Sequence, residues 1–213
     1  MSVIILDAGS GNTLKDDITA IKLIDEIAKR DTKKHEVIFK AQLFESAPPN
    51  IPLDHHVFLV ARAYAWSLGY KMTSSVFDVA SLRFLLSLDN PKNELPFVKV
   101  ACRPDLYWLI GEVPRRVPVY VSVTDELEAK SIQDDRGSKI VPLVCVPKYP
   151  AYCEDYWDVI GDWNAMSDHT EGWDAFYAHQ PWVIEKHICL ERDPKNPDSG
   201  PFAILPEDLE EIL

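Results

Sequence analysis

Ala165-Met166-Ser167-Asp168-His169-Thr170, a helix-length stretch over 171–180, and then Trp182-Val183-Ile184-Glu185-Lys186-His187: this part of the sequence decides the fold. The runs 165–169 and 182–187 are short and largely apolar, and each finishes in a histidine. A strand–helix–strand unit of this kind brings two parallel strands side by side, so both imidazoles emerge at the same end. Active sites of α/β barrels are built at that carboxyl end. His169 and His187 are therefore candidate ligands of one shared metal ion, whose remaining positions stay open to water or substrate.

Working outward, the same alternation runs through the whole chain. Strand candidates occupy 3–7, 37–42, 70–74, 97–101, 117–123, 140–146, 165–169 and 182–187. Several are continuous apolar runs, the pattern of parallel strands buried on both faces. Helical patterns fall between and after them, at 18–30, 55–68, 79–88, 105–112, 125–132, 155–162, 171–180 and 206–213. Alternation implies a parallel sheet, and eight units of each kind predict a compact (β/α)8 TIM barrel in a single domain over 1–213. An open doubly wound sheet is the alternative. Pro48-Pro49-Asn50 and the proline-rich 194–201 fall where loops are due.

Composition narrows the partners. The net charge of -12 is spread along the chain, which excludes a nucleic-acid or anionic-membrane partner, since either needs a basic patch. A small anionic substrate stays open, because a few converging cations override the global field locally. The four cysteines (Cys102, Cys145, Cys153, Cys189) include no CxxC pair, and three lie in or beside apolar runs. They read as reduced thiols of a cytoplasmic protein. No basic segment followed by an apolar stretch suggests a signal peptide, and no apolar run approaches the roughly 20 residues of a membrane span.

A polar set stands at the expected carboxyl ends of the strands. Asp7 ends the first. Lys40 and Gln42, two apart on the second, share a face. Ser74 and Ser75 end the third, Lys99 lies in the fourth, Ser122 ends the fifth and Tyr149 follows the sixth. Lysines within apolar strands ask for an anionic partner, because an unpaired buried ammonium is costly. His55-His56 opens a helix and reads as surface. Trp108, Trp157, Trp163, Trp173 and Trp182 are expected to fill helix–strand contacts. No dinucleotide or Walker fingerprint occurs.

These residues resemble the N-acetylneuraminate (sialic acid) synthase family, in order and over nearly the whole chain. Ile5-Leu6-Asp7-Ala8-Gly9 resembles the family's first strand, which ends in AEIG. Val37-Ile38-Phe39-Lys40-Ala41-Gln42 resembles its VKFQ strand, and Thr73-Ser74-Ser75-Val76-Phe77-Asp78 stands where it has STPFD. Val98-Lys99-Val100-Ala101-Cys102 resembles KIAS, and Pro118-Val119-Tyr120-Val121-Ser122 resembles PVILSTG. Cys145 and Tyr149-Pro150 sit as in HC…YP. Ser167-Asp168-His169-Thr170 and Ile184-Glu185-Lys186-His187 match SDHT and IEKH. Asp198 takes the place of the acid in a PD element.

The resemblance implies a transferase of carbohydrate biosynthesis that condenses phosphoenolpyruvate with an aldehyde-form sugar and releases phosphate. It implies a divalent cofactor held by His169 and His187, manganese first, with magnesium or cobalt as alternatives. Lys40, Lys99, Ser75, Ser122 and Ser167 would cradle phosphoenolpyruvate. Gln42, Tyr149 and Asp198 would face the sugar, with Lys99 and Tyr149 counted among the catalytic residues. Asp7 would serve as acid/base in place of a glutamate. The oligomeric state stays open, a homodimer included.

The departures fall at the sugar end. The family's NH pair after the first strand is Gly11-Asn12, and its serine and glycine after the fourth strand are Cys102 and Arg103. Pro104 stands where a carboxylate is usual, Val144 where a histidine is, and Pro147 where an asparagine or serine is. The chain reads as a minimal, barrel-only form without the C-terminal antifreeze-like domain. Weak or absent activity with N-acetylmannosamine is expected, and Arg103 suggests a phosphorylated acceptor. Two other readings remain. One is a degenerate barrel that binds a phosphorylated ligand or a protein partner without catalysis. The other is a metal-dependent sugar-phosphate aldolase or lyase.

Overall fold

Strand β1 (Val3–Asp7) turns Ile4 and Leu6 to one face and Ile5 and Asp7 to the other, the period of two that strand geometry dictates. The computed structural model describes residues 1–46, 48–132, 140–157, 159 and 164–213. It places β1 between β2 (Glu36–Leu43) and β8 (Val183–His187), parallel to both. The strands β3 (Lys71–Val76), β4 (Val98–Val100), β5 (Val119–Val123), β6 (Ile140–Cys145) and β7 (Ala165–Asp168) complete a closed barrel in chain order. The fold is the (β/α)8 barrel expected from the alternation.

The two faces of each strand serve different cores. Ile5, Ile38, Phe97, Leu143, Ala165 and Val183 form one buried cluster, the apolar floor of the barrel interior. Ile4, Leu6, Phe39, Val98, Val121, Val144, Met166 and Ile184 belong to the larger cluster shared with the helices. Moving two residues along a strand from the floor reaches a polar layer: Asp7 after Ile5, Lys40 after Ile38, Lys99 after Phe97, Cys145 after Leu143, Ser167 after Ala165, Glu185 after Val183. Alternation thus converts an apolar plug into a polar mouth within about 7 Å of chain, at the usual rise per strand residue.

Helices α1 (Asp17–Ala28), α2 (His55–Ser67) and α3 (Val79–Ser87) start on an aspartate whose carboxylate accepts an otherwise orphaned backbone N–H. Asp16 accepts from Thr19, Asp54 from His56 and Asp78 from Ser81. Two further helices, α4 (Glu126–Ile132) and α5 (Asp174–His179), are shorter. Three segments expected as α-helices differ. Pro104–Glu112, Cys153–Tyr156 and Pro206–Glu211 are 3₁₀ turns. Segments this short gain little from α propagation, and a proline at the first turn of two of them favours a tight start. Residues 158 and 160–162 of the expected helix 155–162, and Trp163, lie outside the described residues.

The tryptophans correct another expectation. Trp173 is buried and donates its indole N–H to the Asp208 carbonyl at 2.9 Å, but Trp108, Trp157 and Trp182 are largely exposed. On the Pro104–Glu112 turn, Leu106 and Leu109 face inward at a spacing of three, which leaves Trp108 outside. His55 and His56 are exposed, as the sequence suggests, with His55 stacked on Phe84. Among the described residues no helix is long and apolar enough to cross a membrane.

Candidate active site

A cavity of about 570 Å³ opens at the carboxyl ends of the strands. Eleven of the residues singled out from the sequence line it: Asp7, Lys40, Gln42, Ser75, Lys99, Ser122, Tyr149, Ser167, His169, His187 and Asp198. Ser74 does not; its hydroxyl donates to the carbonyls of Ala41 at 3.0 Å and Ser75 at 2.8 Å. The strand register explains the convergence. Asp7 lies level with Lys40 on one side and His187 on the other, Ser75 with Lys99, and Ser167 with Glu185.

The two lysines find their anions within the barrel. Lys40 Nζ donates to Asp7 Oδ2 at 2.6 Å and to Ser75 Oγ at 2.7 Å. Lys99 Nζ donates to Ser122 Oγ at 2.7 Å and to the Val100 carbonyl at 3.1 Å. Glu185 stands between them, with Oε1 at 3.9 Å from Lys40 Nζ and 3.7 Å from Lys99 Nζ, and accepts from Ser167 Oγ at 3.1 Å. Its Oε2 is buried and has no hydrogen-bond partner among the described residues. Glu185 is the site residue that sequence reasoning missed. The signal was present: it precedes His187 by two positions on a strand and so shares its face.

Asp7 is fully committed. Oδ1 accepts from the Gly9 N–H at 3.0 Å, and Oδ2 accepts from Lys40 and, at 3.0 Å, from Gln42 Nε2. Burial alone would raise its pKa. The charges of Lys40 and His187, with the hydrogen bonds from Lys40 and Gln42, outweigh burial and hold it well below the usual carboxylate range. Burial pushes Lys99 below the usual lysine value, with Glu185 opposing the shift. Asp198 reaches the same cavity from the loop after β8, but Oδ2 is spent on Ser10, accepting from its N–H at 2.8 Å and its hydroxyl at 2.6 Å. Gly9 makes this approach feasible: its φ is +71°, and a Cβ there would sit 2.6 Å from the Asp198 carboxyl carbon. Arg103, at the rim, is chelated by Asp105 through Nε at 2.7 Å and Nη2 at 2.6 Å.

The histidines lie together. Their ring centres are 5.9 Å apart, and the ring of Tyr149, 58% exposed, lies against His169 at 4.1 Å, tilted by 31°, and stands 6.5 Å from His187. His169 Nδ1 is 2.8 Å from the Val146 carbonyl, which only accepts, so Nδ1 carries the proton and Nε2 keeps its lone pair. Burial, then the neighbouring His187, lowers the His169 pKa to about 4. His187 Nδ1 is buried without a partner among the described residues, and Nε2 lies 3.7 Å from Asp7 Oδ2. An ion at ordinary metal–nitrogen distance lies about 3.3 Å from each ring centre, so rings up to roughly 6.5 Å apart can share one. The imidazole pair fits that limit. Among the described residues no group of three or more His, Cys, Asp or Glu is gathered to hold a metal.

No family model matches the sequence, and no curated protein matches it. Solved structures do resemble it. The N-acetylneuraminic acid (sialic acid) synthetase of Leptospira borgpetersenii serovar Hardjo-bovis, in complex with citrate, gives a TM-score of 0.75 at 21% identity, covering 98% of this chain and 80% of that one. A spore coat polysaccharide biosynthesis protein of Bacillus subtilis gives 0.73 at 20% identity, over 99% of this chain and 65% of its own. A phospho-2-dehydro-3-deoxyheptonate aldolase (DAHP synthase) of Thermotoga maritima gives 0.69 at 11% identity, over 99% of this chain and 66% of its own. The likeness is one of fold, and the first of these structures carries the synthase name that the strand motifs resemble.

Proposed function

We propose that this protein condenses phosphoenolpyruvate with the aldehyde form of a sugar, forming a carbon–carbon bond and releasing phosphate. The observation that carries this reading is the meeting of two chemically distinct ends in one cavity. Buried Lys40 and Lys99, with Ser75, Ser122 and Ser167, form an anion-binding end. His169 and His187 form the other, with the His169 Nε2 lone pair free. The fold of the synthetase and synthase structures supports the same reading.

In this account the lysines and serines hold the phosphate and carboxylate of phosphoenolpyruvate and offset their charge in a shielded site. A divalent ion held by His169 and His187, manganese being the first candidate, would supply Lewis acidity toward the acceptor aldehyde. C3 of phosphoenolpyruvate bonds to the aldehyde carbon, water adds at C2, and the C2–O bond to phosphate breaks. Asp7 is a positioning group here: a carboxylate bound by Lys40, Gln42 and the Gly9 N–H is a poor proton acceptor, and it keeps Lys40 in place. Glu185 has the free carboxylate oxygen, so it is the residue to hold the water and take its proton. Tyr149, tilted against His169 at the mouth, is placed to contact the sugar.

The lining residues include three cations (Lys40, Lys99, Arg103) and three anions (Asp7, Glu185, Asp198), so the cavity has no surplus positive charge among the described residues. Two consequences follow. Phosphoenolpyruvate should bind more tightly when a divalent ion is present. With Arg103 chelated by Asp105, a neutral aldose is a better acceptor than a phosphorylated one. Calorimetric titration of phosphoenolpyruvate into the protein, with and without manganese, tests the reading. The expected result is binding that manganese strengthens and that Lys99→Met abolishes. No binding under either condition, or binding indifferent to Lys99, would contradict it.

A further inference from the structure

The two histidines are held in different ways. His169 is anchored through Nδ1 to the Val146 carbonyl at 2.8 Å. His187 has no such anchor among the described residues. Its Nδ1 is buried without a partner, and its Nε2 lies 3.7 Å from Asp7 Oδ2, beyond hydrogen-bond reach. A histidine that serves a metal is ordinarily oriented by a hydrogen bond from its second nitrogen. His187 has a ring contact instead. Phe202, on the segment after β8, stands perpendicular to it, with ring centres 5.0 Å apart and planes at 90°. The same ring meets Tyr149 at 5.1 Å and 76°, and His169 at 6.4 Å and 77°. Perpendicular packing is a favoured arrangement of aromatic rings.

Phe202 is itself buried and firmly placed. The Ile204 N–H donates to the His187 carbonyl at 2.9 Å, and the Cys189 N–H donates to the Ile204 carbonyl at 3.1 Å. These bonds dock the segment beside the end of β8 as a parallel bridge. On its other side the ring rests on Gly200, where a Cβ would lie 2.5 Å from Phe202 Cε1 and 3.0 Å from Cδ1. Phe202 does not line the cavity, so it reaches the site only through the rings it touches. We propose that Phe202 is the positioning residue of His187: it confines the imidazole to one rotamer and thereby sets how tightly the histidine pair holds a divalent ion. The consequence for the ion rests on the function proposed above; the confinement of the ring does not.

Two variants of the full chain test this, Phe202→Leu, which removes the ring, and Gly200→Ala, which displaces it. In the metal-free protein, three-bond NMR couplings across the His187 Cα–Cβ bond report its rotamer, with the signals assigned by His187→Gln. Calorimetry with manganese alone reports affinity. The parent should show one rotamer, and both variants should show averaged couplings. Manganese affinity should fall about 10- to 100-fold in each, the usual loss when an outer partner of a metal ligand is removed. His187 couplings that stay at the parent value in both variants would overturn the proposal, as would a parent whose couplings are already averaged. Altered couplings with unchanged manganese affinity would overturn the link to the ion and leave Phe202 a packing residue. A parent that binds no manganese would count against the metal in the proposed function, and the couplings would still decide the positioning. If Phe202→Leu fails to fold, Gly200→Ala decides alone.

Discussion

Lys40 and Asp7 are each almost wholly buried and lie 2.6 Å apart, so removing one strands the other. Lys40→Met should therefore destabilise the fold by about 3–5 kcal/mol, the usual cost of an orphaned buried charge. Lys99→Met should cost less, because its nearest carboxylate, Glu185, is 3.7 Å away and keeps the Ser167 hydroxyl. Urea denaturation of both variants checks this, and equal losses would contradict the pairing. His169 gives a pH signature in the metal-free protein. Its folded pKa of about 4 lies below the unfolded value of 6.5, so the unfolded chain binds more protons between those values and stability falls as pH drops through that window. The loss should reach about 3 kcal/mol by pH 4 and shrink in His169→Gln. A pH profile identical in the variant would contradict the assigned burial. At this scale much was legible: lysines in apolar strands and histidines at strand ends are rare enough to stand out. Glu185 was not, because an acid inside an Ile-Glu-Lys-His run reads as one charge among several until the strand is known to face inward. The Arg103–Asp105 chelate was hidden too, since spacing alone does not say which of two exposed groups has closed on the other.

The elements that carry the histidines are tied together behind the site. Lys186 on β8 is 0% exposed; its Nζ donates to Asp168 Oδ2 at 2.8 Å and to the Thr170 carbonyl at 2.5 Å, and Asp168 Oδ1 accepts from the Thr170 N–H. This outward-facing pair fixes the turn after β7 to β8, and so fixes His169 relative to His187. Asp168→Asn should destabilise strongly, by roughly 3–5 kcal/mol, because it leaves a buried ammonium without its anion. The double variant Asp168→Asn/Lys186→Met should recover part of that loss in a double-mutant cycle. Simple additivity would show that the pair does not couple. The strands were readable because their apolar runs are continuous and their polar ends abrupt. The helices were less so: Pro104–Glu112 and Pro206–Glu211 have helical composition, but they are too short for propensity to choose between α and 3₁₀ geometry.

Closure makes the site. β1 pairs with β8 as well as with β2, so Asp7 is flanked by His187 and Lys40 from opposite ends of the chain. Counting eight strand–helix alternations was enough to predict that ring, because a parallel sheet with eight units leaves few other ways to hide both faces. What the count could not supply is the charge balance of the finished mouth, three cations against three anions, since it depends on which strand residues face inward once the register is set. With that balance, the cavity is proposed to join an anionic enol phosphate to a neutral aldehyde rather than merely bind one of them. The direct measurement is phosphate release from phosphoenolpyruvate by the manganese-loaded protein across a panel of neutral and phosphorylated aldoses, with products identified by mass. Release should depend on an added neutral aldose, yield a product three carbons longer, and disappear in Glu185→Gln and Lys99→Met. Phosphoenolpyruvate left intact with every aldose, or pyruvate formed without a longer-chain product, would contradict it.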